Sequence, residues 1–139
     1  MRSVGEVSKD CETFEARAAL AAHARSVSVA RRLLAQALDA RGVRSNHRSD
    51  ALLVLSELVA NAIRHGSRPG DQITVEFAIR LRCVQICVRD PFRSSSAPAA
   101  LSADERRPSG RGLQIVEHLA YWSERVINGR REVRATVAL

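Results

Sequence analysis

The sequence predicts an α+β fold, a two-layer sandwich in which an antiparallel-rich mixed sheet carries helices on one face. Two patterns point there. Apolar residues recur at helical spacing between residues 26 and 65, then switch to strict alternation from Ile73 to Val88. Near the end, Asn128-Gly129 marks a hairpin, and Val133, Ala135, Val137 and Leu139 alternate behind it. Helices followed by hairpins, in one short chain, combine as a sheet with a helical layer.

The elements follow in order. Residues 1–10 are polar, mixed in charge and expected to be disordered, leaving one folded domain over 11–139. Cys11 to Arg17 is an expected edge strand. Ser26 or Ser28 is positioned to cap a helix running to about Ala40, with Gly42 ending it as the residue that can take a left-handed conformation. Val29, Leu33, Leu34, Ala37 and Leu38 give that helix one apolar face. Asn46 is a candidate N-cap for a second helix that continues through Leu52, Leu55, Leu58, Val59 and Ala62 and stops at His65 before Gly66. Ile73, Val75, Phe77 and Ile79 form one strand face, and Val84, Ile86 and Val88 repeat it; the link at 80–82 lacks turn residues, so pattern alone argues the hairpin. From 91 to 109 periodicity disappears into Ser, Pro, Ala and charge, the expected place of a functional lid. A third helix is expected from Gly112 to about Trp122.

Composition narrows the function classes. The chain has 139 residues, 45% of them hydrophobic, enough for one domain and no second. Its net charge of +7 raises nucleic acid as a partner, but the basic residues are arginines spread along the chain, with Lys9 the only lysine. Aromatic content of 4%, dispersed over Phe14, Phe77, Phe92, Tyr121 and Trp122, gives no stacking platform, so no direct nucleic-acid contact is expected. The start of the chain has no apolar leader and no stretch approaches the roughly 20 apolar residues of a membrane span, which predicts a cytoplasmic protein without a membrane partner. Cys83 and Cys87 fall on one strand about 13 Å apart and cannot bridge. With Cys11 they read as three buried thiols, and the scattered histidines lack zinc-site spacing.

Glu57 and Asn61 lie four residues apart and share a helix face. Alone they would be an ordinary solvated stripe. They are followed, however, by a hairpin ending in Asp90, a long loop, and Gly110-Arg111-Gly112 opening another helix. Each part suits a nucleotide. Asp90 would accept a hydrogen bond from the exocyclic amine of adenine, and helix-start amides beyond Gly112 would meet phosphate oxygens where glycine lets the backbone approach. Asn61 offers a neutral oxygen to Mg2+, and Glu57 is one turn away to take a proton from an attacking hydroxyl. Arg111 is placed to reach phosphate, whereas Arg106 and Arg107 read as solvent-exposed. His65 and His118 are assigned no catalytic part; a histidine at a helix end ordinarily answers the helix dipole.

The segments Ser56–Gly66 (SELVANAIRHG), Val88–Asp90 (VRD) and Ser109–Ala120 (SGRGLQIVEHLA) resemble the N, G1 and G2 boxes of the GHKL (Bergerat) ATPase superfamily. Within it the chain is most similar to the RsbW-like anti-sigma factor and serine-protein kinase family, especially its short, Arg- and Ala-rich actinobacterial members. The resemblance runs from about residue 26 to the end. It implies the Bergerat fold, ATP and Mg2+ as cofactors, Glu57 as catalytic base and Asn61 as metal ligand. It implies a nucleotide-binding set of Asn61, Asp90, Gly110, Arg111, Gly112, Leu113 and Thr136, the last helping Asp90 hold the base. It further implies a homodimer that sequesters a sigma factor and phosphorylates a serine of an anti-anti-sigma protein of the STAS type.

The G1 segment departs from the family pattern. Where a glycine usually stands two residues after the aspartate, this chain reads Asp90-Pro91-Phe92-Arg93. Pro91 removes an amide donor and Phe92 brings a side chain where backbone normally lies close to the nucleotide. The alternative reading is therefore a non-catalytic anti-sigma module that keeps the fold and binds protein with weak or no ATP turnover. A histidine kinase is excluded because no phosphoacceptor helix has room, and P-loop enzymes because no Gly-x-x-x-x-Gly-Lys occurs.

Overall fold

The computed structural model describes residues 13–43, 46–93 and 111–139. The expected disordered start, Cys11, Gly110 and all but 91–93 of the expected lid lie outside the described residues. The elements are β1 (Phe14–Ala21), α1 (Arg25–Ala40), α2 (Asn46–Gly66), β2 (Gln72–Ile79), β3 (Cys83–Asp90), α3 (Arg111–Leu119), β4 (Ala120–Ile127) and β5 (Arg130–Ala138). The strands form one sheet in the order β1-β2-β3-β5-β4, antiparallel at each pairing. This is the α+β sandwich that the alternating and helical patterns predict.

Side-chain parity sorts the sheet into two unlike faces. Ile73, Val75, Phe77 and Ile79 of β2, Val84, Ile86 and Val88 of β3, and Val133, Ala135 and Val137 of β5 are buried on one face. Against them pack Leu34 and Leu38 of α1, Leu55, Leu58 and Val59 of α2, and Val116 of α3. Removing this apolar surface from water is the main term holding the layers together. The opposite face carries charge in cross-strand register: Arg17 is opposite Glu76, Arg89 opposite Glu132, and Glu132 opposite Arg125. Glu132 accepts from Arg89 (2.7 Å), Arg125 (2.7 Å) and Arg134 (2.8 Å), and Arg89 also donates to Glu76. An ion-pair ladder thus crosses all five strands.

Local chemistry explains the boundaries. Gly42 takes φ 73°, and the amides of Gly42 and Val43 bond back to Asp39 and Leu38, the paired closure of a helix by a left-handed glycine. Neither serine caps α1, which starts at Arg25 after Ala24 without a side-chain cap. Ser26 instead donates its hydroxyl to the carbonyl of Ala21 (2.6 Å), tying the first turn to the end of β1. The edge strand begins three residues later than expected and runs on to Ala21, because its partner β2 extends to Gln72. α3 stops at Leu119, short of Trp122. Asn128 and Gly129, at φ 53° and 77°, set a tight turn, and counting back from it β4 needs Ala120 to pair with Val137. Leu33 is 38% exposed, so the α1 apolar face is centred on Leu34 and Leu38. Cys87 is buried but Cys83 only partly so, which corrects the expectation of uniformly buried thiols.

The charge ladder makes a testable demand on acid stability. Burial pushes the Glu132 carboxyl up, but hydrogen bonds from Arg134, Arg125 and Arg89 outweigh it and hold the group down at about 2 against an ordinary value of 4.5. A depressed carboxylate stabilises the fold above its unfolded value, and that stability is lost as pH falls through the window from 4.5 toward about 2. Urea titrations across this window should show a shallower loss of stability in Glu132→Gln than in the parent. Equal slopes would remove Glu132 from the acid limb.

Candidate functional site

The candidate site gathers where the C-terminal half of α2 crosses the ends of β3 and β5. On α2, Glu57, Asn61 and His65 recur every four residues along one face. Glu57 is partly buried, whereas Asn61 is 4% exposed and its Oδ1 has no hydrogen-bond partner among the described residues. A buried carboxamide oxygen left unpaired costs free energy, so its lone pairs are available to a ligand. The His65 Nε2 is likewise buried without a partner. Desolvation, Arg64 and Arg131 lower the imidazole pKa, leaving it neutral at pH 7.

Asp90 closes β3 on the helix-facing side, continuing the alternation of Val84, Ile86 and Val88. It is 1% exposed. Its Oδ1 accepts from the amide of Phe92 (2.8 Å), and its Oδ2 accepts from Arg131 Nε (2.9 Å), with Arg131 Nη2 2.8 Å away in the same ion pair. Arg131 is the directly opposite residue on β5. Its guanidinium, also buried, meets Glu124 (3.6 Å) and the carbonyl of Asn61 (3.5 Å). Burial lifts the Asp90 carboxyl above its ordinary pKa, while Arg131 and the Phe92 amide pull the other way. The helix end is fitted to this pair: a Cβ on Gly66 would land on the Asp90 carboxyl group, so only glycine lets α2 lie against it. The Arg93 amide then bonds to the Gly66 carbonyl (2.8 Å), clipping the chain beyond β3 to the helix.

Phe92 has φ 58°, the left-handed region. The backbone therefore keeps a conformation that glycine adopts freely and that costs an L-residue about 1–2 kcal/mol. The Asp90 side chain enforces it by capturing the Phe92 amide two residues on.

The structure brings Glu57, Asn61 and Asp90 to one region and lays α3, which starts at Arg111 and contains Gly112 and Leu113, against α2. Gly110 lies outside the described residues. Thr136 is not part of the site. It pairs with Gln85 and shares the outer sheet face with Arg134 and Glu132, whereas Asp90 points to the helices. Period-2 geometry forbids an even-numbered β5 residue from joining Arg131 and Asp90. Arg131 is the residue that sequence reasoning missed, although the alternation of Val133, Ala135 and Val137, extended back two positions, puts it on the buried face.

The strain at Phe92 can be isolated by comparing two substitutions that both delete the ring. Phe92→Gly should be more stable than Phe92→Ala by about 1 kcal/mol in chemical denaturation, because only alanine retains the left-handed cost. Equal stabilities would mean that the segment relaxes and that no strain is held there.

No helix among the described residues is long and apolar enough to cross a membrane. No curated protein matches the chain. A family model for the histidine kinase-like ATPase domain matches residues 20–136, from the end of β1 through most of β5, and so includes the site described above. The chain belongs to the histidine kinase-like ATPase domain family.

Proposed function

We propose that the chain binds Mg2+·ATP along α2 and acts as an anti-sigma factor that phosphorylates a serine of a STAS-type antagonist. The observation that carries the nucleotide reading is the orphaned Asn61 Oδ1, a buried neutral oxygen of the kind a hard cation takes. Family membership implies ATP, and the residues fit it at this end of the site. Glu57 lies nine residues before Gly66, about 13 Å along the helix from the Asp90 end, a separation that an extended nucleoside triphosphate bridges. Bound Mg2+·ATP would supply the phosphoryl group. Glu57 accepts the proton of the incoming serine hydroxyl, and Asn61 holds the metal. The sigma-factor and antagonist partners and the homodimer rest on the resemblance of the N-, G1- and G2-box strings to the RsbW-like family.

A second reading, a protein-binding module without turnover, is favoured by two observations at the other end: Phe92 in a glycine conformation and Asp90 already paired with Arg131. Phosphoryl transfer separates the two. With a STAS-domain antagonist and its sigma factor from the same genome, mass spectrometry should find one phosphoserine on the antagonist, abolished by Glu57→Gln with ATP affinity unchanged within about threefold. Transfer at the parent rate in Glu57→Gln would remove Glu57 as the base. Sigma-factor capture without any transfer by the parent protein would establish the binding module.

A further inference from the structure

Resting on the nucleotide reading above, we propose that Arg131 already fills the hydrogen-bonding place that Asp90 would offer a base amine, so that this chain does not select its purine by the exocyclic amine. The Oδ2 atom accepts the Nε–H of the guanidinium, whose Nη2 stands 2.8 Å from the same oxygen as an ion pair, and Oδ1 accepts the Phe92 amide. Each carboxyl oxygen thus already has a hydrogen bond, and the guanidinium occupies the space beside Oδ2. The approach to the remaining lone pairs is confined, since the backbone at Gly66 lies close enough that a single added carbon would meet all three carboxyl atoms.

Arg131 is not a loose occupant. Its side chain is 6% exposed and is held from three sides, by Asp90, by Glu124 and by the Asn61 carbonyl. A charge-assisted pair is about twice as strong as a bond from a neutral amine, and expelling the guanidinium would leave a buried cation without its main partner. The neutral amine loses that competition. Purine affinity then comes from contacts other than the Asp90 carboxylate, and the register that sets Arg131 opposite Asp90 makes the arrangement a fixed property of the sheet.

The test needs no variant to begin. Calorimetry of the full chain with Mg2+ compares ATP with purine riboside triphosphate, in which hydrogen replaces the amine. The two should bind within about twofold of each other, whereas an amine bonded to a buried carboxylate would make the analogue about tenfold weaker or worse. A tenfold preference for ATP overturns the proposal and leaves the nucleotide site standing. Arg131→Gln, checked for folding by circular dichroism, frees the carboxylate and should create a preference of about tenfold for ATP over the analogue. A folded Arg131→Gln protein that still ignores the amine also overturns it, and if this variant does not fold, the parent comparison decides. Failure of the parent to bind either triphosphate is a different result, which overturns the nucleotide site and the Arg131 assignment with it.

Discussion

The buried pairing of Asp90 with Arg131 is the contact on which the geometry of the site depends. It joins the end of β3 to the start of β5, and through the Asn61 carbonyl and the close approach at Gly66 it reaches α2. Two charges taken this far out of water are tolerable only with good geometry and further hydrogen bonds, and both are present: the Phe92 amide on one carboxyl oxygen, Glu124 beside the guanidinium. Removing either partner leaves an uncompensated buried charge. The same carboxylate bends the following chain into the left-handed turn at Phe92, from which Arg93 reaches back to Gly66. One ion pair therefore determines how the helix, the sheet and the segment leaving β3 are arranged.

The two sheet faces divide the remaining work. On the helix side, apolar residues from all three helices and three strands form a single core, and the buried polar residues there, among those described, are Ser26, Asn61, Asp90 and Arg131. On the other side, neighbouring strands are held in register by alternating charge, with Glu132 at the centre of the ladder. A one-residue slip of β5 would turn Arg131 outward and Glu132 inward, breaking the buried pair and the ladder together. Register is thus specified electrostatically as well as by apolar burial. The site inherits its precision from this: Asp90 and Arg131 face each other because the ladder and the core both require it.

Much of this was legible in the sequence, and the failures have physical causes. The helices and hairpins announce themselves because one face of each is buried, so periodicity survives in the chain, and the Asn128-Gly129 turn places the last two strands. Boundaries shifted where long-range pairing outweighed local pattern: Tyr121 and Trp122 were drawn from α3 into β4 by the hairpin register. Asn61 and Asp90 could be read as site residues because each is a polar interruption of an apolar face. Arg131 is an interruption of the same kind, yet arginine is so common here that its parity passed unnoticed. Thr136 was placed at the site by family resemblance against its own parity, and parity decided. Strand order, which seats β5 beside β3 and thereby makes Arg131 the partner of Asp90, depends on contacts far apart in the chain and carries no local signal.

The most direct test of this account is a double-mutant cycle on the central pair, with Asp90→Asn, Arg131→Gln and the double variant measured by urea denaturation at neutral pH. Each single change should destabilise by about 3–5 kcal/mol, and the double variant should be much less destabilised than the sum, a coupling above about 2 kcal/mol. Additive effects within about 0.5 kcal/mol would contradict it, showing that the two groups do not hold one another and that the arrangement of α2, β3 and β5 rests on packing alone.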